Sequence, residues 1–157
     1  MAGFVGGSAA LPVQIYRAVM SASDQGPITG GSYVNVEFDD LPVNSDGGTP
    51  LDTATGIFTV PAGMTGFWDI RSQIRIFDLD PDRTYTFTVE KNGGGFDGVI
   101  AILIADSTAH SMTAAWRAEL AAGDEIKVTL KCAGTYNATM IDGNSAYSWV
   151  DYTYFPR

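Results

Sequence analysis

At 157 residues and 45% apolar composition, the chain has the size of one domain and enough apolar material to bury a core. Its 18 acidic against 9 basic residues give a net charge of −9, which opposes phosphate backbones and anionic lipid, so neither a nucleic-acid partner nor membrane insertion is expected. Cys132 is the only cysteine, which rules out an intrachain disulfide.

The first residues, MAGFVGGSAALP, are rich in glycine and alanine, carry no charge and hold no period. They read as an arm over 1–12, with Phe4, Val5 and Leu11 as its sizeable anchors, ahead of a single domain over 13–157. The arm has neither the basic flank nor the apolar density of a secretory signal or a membrane span. Synthesis in a cytoplasm, with release by lysis or assembly, is the expectation.

Val13 to Met20 has the β-branched and large apolar residues of a strand, and the turn-rich SASDQGPITGG connects it to a second one, Tyr33 to Phe38. Short alternating runs then follow to the C-terminus, punctuated by Gly, Asp, Asn and Pro, and no segment keeps a helical period for three turns. In Phe67 to Phe77, Trp68, Ile70, Ile74 and Ile76 face one way while Asp69, Arg71, Gln73 and Arg75 face the other, so this strand is wetted on one side. Tyr85, Phe87 and Val89 alternate with threonines before KNGGG, where Asn92-Gly93 can supply the positive φ angles of a tight hairpin.

Val99 to Ala105 is apolar on both faces and reads as a strand that is either central or covered by a second subunit. Met112, Ala114, Trp116, Ala118 and Leu120 alternate again, AAGDE turns the chain, and Ile126, Val128, Leu130 and Cys132 form the next inward-facing set. The last strand, Tyr147 to Phe155, carries rings on both faces: core on one side and subunit contact on the other, in preference to a sugar-stacking platform. The whole is all-β, with about eight to ten strands and no internal repeat.

The stretch FDDLPVNSDGGTPLDTATGIFTVPAGMTGFWDI resembles the signature of the globular head of complement component one, subcomponent q. Phe58, Pro61, Gly63 and Phe67 match it residue by residue; Lys91-Asn92-Gly93 matches the family's hairpin, and Leu120 to Ile126, with Gly123-Asp124, matches its Leu-x-x-Gly-Asp turn. The final Phe-x-Gly of the family is replaced by YSWVDYTYF. The resemblance implies a ten-stranded, tumour-necrosis-factor-like jelly-roll sandwich that assembles as a homotrimer. Without a collagen stalk or secretory signal, the chain looks like the versions found in bacteriophage particles.

The expected function is therefore a non-enzymatic virion structural protein, acting as capsid decoration, head fibre or tail-fibre-tip adhesin. It would bind other virion proteins through the arm and present its far end to a host surface glycan or protein. A free-standing carbohydrate- or receptor-binding module is the alternative reading. The loops at that far end contribute Asp78, Asp80, Asp82, Tyr136, Asn137 and Asn144 as candidate binding residues.

Asp78, Asp80 and Asp82 have calcium-loop spacing, but Arg83 stands where an EF-hand needs glycine and Val89 where it needs glutamate. A looser calcium site at a trimer apex stays open beside a solvated acidic turn, and no other cofactor is expected. His110, the only histidine, excludes a His-based metal cage within one chain, and its surroundings read as a strand entrance and not as a catalytic site.

Overall fold

The computed structural model describes residues 12–81, 83–104, 108–135 and 138–156, with the backbone alone for 95–104. Phe4, Val5, Leu11, Asp82, Tyr136 and Asn137 lie outside the described residues. The elements are β1 (Gln14–Val19), β2 (Tyr33–Asn35), β3 (Asp40–Asn44), β4 (Leu51–Asp52), β5 (Ile57–Thr59), β6 (Gly66–Phe77), β7 (Thr84–Lys91), β8 (Gly94–Ile104), β9 (Ala109–Leu120), β10 (Glu125–Cys132), β11 (Met140–Ile141) and β12 (Trp149–Phe155).

They form two antiparallel sheets. In the first, β9 and β12 flank β6, β12 pairs β1, and β1 pairs β3; β11 continues the β12 position along the same edge of β6. In the second, β8, β7 and β10 are successive neighbours, and β5 and β2 share the far edge of β10, with β4 beyond β5. Two positions are thus each filled by two short segments, and twelve segments occupy five lateral places per sheet, the ten-place layout expected of this jelly roll.

Alternation decides which face each strand buries. Trp68, Ile70, Ile74 and Ile76 of β6 are fully buried, as are Tyr85 and Phe87 of β7 and Ile126, Val128, Leu130 and Cys132 of β10. At one end of the sandwich the core is aromatic. The Phe58 ring stacks on Tyr152 at 3.9 Å and 11°, and meets Tyr16 and Trp68 edge-on at 5.3 and 5.7 Å. Tyr154 tilts against Trp68 at 5.2 Å. These rings come from β5, β1, β6 and β12, so they tie the two sheets together.

The structure decides two readings. β8 lies at the edge of its sheet, paired with β7, so of the two alternatives for Val99 to Ala105 the central strand is excluded for its described part, 99–104. Phe67 is 45% exposed, on the outward face where period two places it with Asp69 and Arg71. Tyr147 precedes β12, in a turn where its amide donates to the Asn144 carbonyl at 2.8 Å.

Candidate functional site

The connections sort to two ends, which we call base and distal. At the base, Pro61 to Met64 is a turn closed by the Met64 amide on the Pro61 carbonyl, with Gly63 at φ 82. That positive φ, and the fixed φ of proline, are why the strand breaks at Pro-Ala-Gly. Asn92 and Gly93 both have positive φ, 49 and 74, and make the two-residue hairpin between β7 and β8.

Asp124 then fastens these turns. Its carboxylate accepts from the Ala121 amide at 2.7 Å and from Asn92 Nδ2 at 2.8 Å, and pairs with Lys91 at 2.6 Å, while its carbonyl accepts from the Val60 amide at 2.9 Å. Burial works against the charged carboxyl, but hydrogen bonds from Lys91, Ala121 and Asn92 outweigh it and hold Asp124 below the usual carboxylate range. Pro61, Gly63, Asn92, Gly93, Gly123 and Asp124 thereby belong to one hydrogen-bonded base.

The distal end carries the candidate binding loops in two groups. Asp78 (φ 54) and Asp80 follow β6. Asp80 pairs with Arg83 at 2.7 Å, its amide donates to the Tyr85 hydroxyl at 2.9 Å, and that hydroxyl shares a hydrogen bond with Thr139 at 3.1 Å. Burial raises the Tyr85 phenol above its ordinary value. Arg83 also lies over Gly134, within 3.3 Å of where a Cβ would stand, so the β6–β7 and β10–β11 connections are held against each other.

Asn144 stands apart from Asp78 and Asp80. It belongs with Asp142, whose carboxylate accepts the Asn144 amide at 2.9 Å and pairs with Arg75 at 3.3 Å. Beside it runs the segment after β1, which the sequence shows only as a connector. Asp24 accepts the Gly143 amide at 2.9 Å, and a Cβ on Gly143 would lie 2.2 Å from the Ser23 backbone. A polar cleft of about 520 Å³ opens between them, lined by Ser21, Ser23, Asp24, Asp142, Asn144 and Ser145. Ser21 and Ala22 are themselves fixed by three hydrogen bonds to the Asp39 carboxylate, 2.7 to 3.1 Å long.

This cleft can offer hydroxyl, amide and carboxylate groups to a polar ligand. Among the described residues, no group of three or more His, Cys, Asp or Glu side chains is placed to hold a metal ion. His110 lies in β9 opposite Ile76.

A third surface is the outward face of the first sheet. Cross-strand register aligns Phe67 with Phe155, Asp69 with Arg117, Arg71 with Asp151 and Arg17 with Asp151. Arg17 binds Asp151 through two 2.6 Å hydrogen bonds and lies 4.9 Å over the Trp149 ring. Asp69 receives Arg71 at 3.1 Å and Arg117 at 3.2 Å. Burial opposes its charge, but these arginines more than compensate and keep Asp69 low.

No protein-family model and no curated protein matches the sequence. Solved structures do match in fold. Murine APRIL superposes with a TM-score of 0.64 at 15% identity, over 92% of this chain and 100% of that one. The Eiger tumour necrosis factor of S. frugiperda gives 0.68 at 14%, over 92% and 94%. The globular domain of zebrafish complement 1qA gives 0.60 at 9%, over 92% and 99%. With two antiparallel sheets in this order, the chain has the jelly-roll fold shared by tumour necrosis factors and complement globular heads.

Proposed function

We propose that the chain is a non-enzymatic binding module that works as a homotrimer, attached at its base and recognising a ligand with its distal loops. The observation that carries this reading is the outward face of the β9-β6-β12-β1-β3 sheet. Val13, Ile15, Val43, Phe67 and Phe155 are each between 40 and 50% exposed there, more apolar surface than a small sandwich ordinarily leaves in water. Beside them Arg17, Arg71, Arg75 and Arg117 meet Asp69, Asp142 and Asp151 in ion pairs. In a molecule of net charge −9, this face is locally balanced, so copies can meet on it without the repulsion they carry elsewhere.

The finer part of the proposal is a bacteriophage particle as the setting, with the protein as capsid decoration, head fibre or tail-fibre tip. Its support is geometric. Residue 12 enters β1 at the base, where Gln14 pairs with Tyr154 and the Tyr154 hydroxyl donates to the Thr65 carbonyl at 3.4 Å. Residue 12 therefore lies at the end opposite Asp78, Asp80 and Asn144, the end at which a module recognising with its distal loops would be anchored. Asp82, Tyr136 and Asn137 complete the proposed recognition set, with a host glycan or protein as its ligand and the virion as its location.

Light scattering on purified protein is expected to give three chains at micromolar concentration, and Phe67→Glu with Phe155→Glu is expected to give single folded chains. A monomeric wild type overturns the reading. Gradient-purified particles should carry the protein; a trimer that binds glycan and never sediments with particles would favour the free-standing module. Alanine at the distal candidates with host binding unchanged would exclude that end.

A further inference from the structure

The distal cleft between the Ser21–Asp24 segment and the turn after β11 is defined by what lines it. Ser21, Ser23 and Ser145 bring hydroxyls, Asn144 an amide, and Asp24 and Asp142 carboxylates to a space of about 520 Å³, a volume in the range of small-ligand sites. Neither lysine nor arginine lines it, and its remaining walls are Ala22 and Gly143. An apolar ligand would find almost nothing to cover.

The bonds that hold these walls leave several polar groups without a protein partner. Asp24 gives one oxygen to the Gly143 amide, at 2.9 Å, and has no ion pair among the described residues. Asn144 Oδ1 accepts the Ala146 amide at 2.9 Å, while its Nδ2 donates to no described residue, and the Ser23 and Ser145 hydroxyls are likewise unbonded among them. Asp142 is committed on both oxygens, to the Asn144 amide and to Arg75. Behind the cleft, Gln25 and Ile141 exchange backbone hydrogen bonds of 2.9 and 2.8 Å, and the Met20 amide donates to the Ser148 carbonyl at 3.1 Å. A cleft fixed in this way has little ordering to do when a ligand enters.

An exposed ring stands beside it. Tyr147, three residues after Asn144, is 40% exposed. Arg75 links ring and cleft: its guanidinium lies 4.9 Å over the Tyr147 ring and reaches Asp142 at 3.3 Å. The cation is thereby neutralised by a wall of the cleft, and the ring adds an apolar patch at the margin.

We infer that this cleft is the binding site for one neutral sugar unit of a surface glycan, an inference that rests on the distal recognition proposed above. Neighbouring hydroxyls on a sugar ring both donate and accept, so the second Asp24 oxygen accepts from one while Asn144 Nδ2 and the two serine hydroxyls serve the next. The Tyr147 ring offers a surface to the C–H side of the same or an adjacent unit. An acidic sugar would meet the Asp24 charge with no lysine or arginine in the lining to offset it, in a chain of net charge −9. An amine would satisfy the carboxylate alone and leave the amide and hydroxyl donors unmatched.

Saturation-transfer NMR on the full-length protein tests this, with the methyl glycosides of glucose, galactose, mannose and N-acetylglucosamine, and with N-acetylneuraminic acid and methylamine as anionic and cationic probes. At least one neutral glycoside should receive signal and the two charged probes none. Ser145→Trp, which fills the cleft from an exposed position, should abolish that transfer with an unchanged melting curve. Ser145→Ala and Tyr147→Ala should each weaken the same glycoside about two- to tenfold on titration, the loss of one hydrogen bond or one ring contact. They also cover the case in which the tryptophan variant folds poorly. No transfer to any neutral glycoside, equal transfer to a charged probe, or binding that survives all three substitutions overturns the inference. Attachment to host cells keeps it distinct from the reading it rests on. Attachment that withstands Ser145→Trp and is lost with alanine at Asp78 and Asp80 sinks the sugar cleft alone, whereas attachment unmoved by either change excludes the distal end.

Discussion

Phe58→Ala tests the architecture at its most connected point. Phe58 is fully buried in the three-residue β5, and its ring contacts Tyr152, Tyr16 and Trp68 at 3.9, 5.3 and 5.7 Å. Truncating a buried phenylalanine costs about 3–5 kcal/mol, and each aromatic pair adds about 0.5–1.5 kcal/mol beyond its area. The three ring partners sit on β1, β6 and β12, each locked in an antiparallel ladder, so they cannot move in to fill the space. The upper half of the range is therefore expected, near 4 kcal/mol, or about 8–16 °C of melting temperature for a domain of this size. Thermal and urea unfolding should be compared at one fixed protein concentration, because association couples to stability. Phe58→Leu should lose less than half as much. A loss below about 1 kcal/mol for the alanine variant would refute the packing described for this end of the core.

Tyr152→Phe removes a buried hydroxyl that has no hydrogen-bond partner, so unfolding should show no loss of stability and a gain of up to about 1 kcal/mol; a comparable loss would reveal a partner. Gly56 and Gly47 both have positive φ, 69 and 70, yet a Cβ on Gly56 would lie 2.1 Å from the Val36 carbonyl oxygen and one on Gly47 would meet nothing. Gly47→Ala should therefore cost about 1 kcal/mol, and Gly56→Ala several times that or the fold itself, by the same unfolding curves. Asp124 is held below its ordinary range in the folded state, so the unfolded chain takes up its proton first as pH falls. Its contribution is present above an unfolded value of about 3.9 and lost as pH drops through the lower folded value. Asp124→Asn should flatten that part of the acid-unfolding profile and lower stability at neutral pH.

Where local rules decide the outcome, the sequence is a sufficient guide. Alternation places Trp68, Ile70, Ile74 and Ile76 inward, and Asn92-Gly93 forms its hairpin because both residues tolerate positive φ. What escapes is set by long-range register. That β8 is an edge strand follows from which partners the other strands take, and nothing in Val99 to Ala105 encodes it. The distal cleft is a sharper case. Asp24 and Gly143 are 119 residues apart, and their hydrogen bond exists because Gln25 and Ile141 pair across the end of the sheet. Ser21 to Asp24 looks like ordinary turn chemistry, and the one local hint is Gly143, whose missing Cβ admits the Ser23 backbone.

The charge distribution links these surfaces. Four of the 9 basic residues, Arg17, Arg71, Arg75 and Arg117, project from one sheet face. Lys91 and Lys127 are spent on Asp124 and Glu90 at the other sheet, and Arg83 on Asp80 at the distal end. Asp24, Glu37 and Asp39 line a distal depression, where Asp24 accepts the Gly143 amide and Asp39 those of Ser21 and Ala22, and none of the three is ion-paired among the described residues. The net −9 therefore falls mainly outside the balanced face. A uniform spread would have made every approach between copies repulsive; concentrating arginine beside Phe67 and Phe155 leaves one orientation in which apolar burial is not opposed by like charge. At the distal end the carboxylates of Asp24, Glu37 and Asp39 oppose close approach between copies and favour hydration, which fits the recognition role proposed for that end.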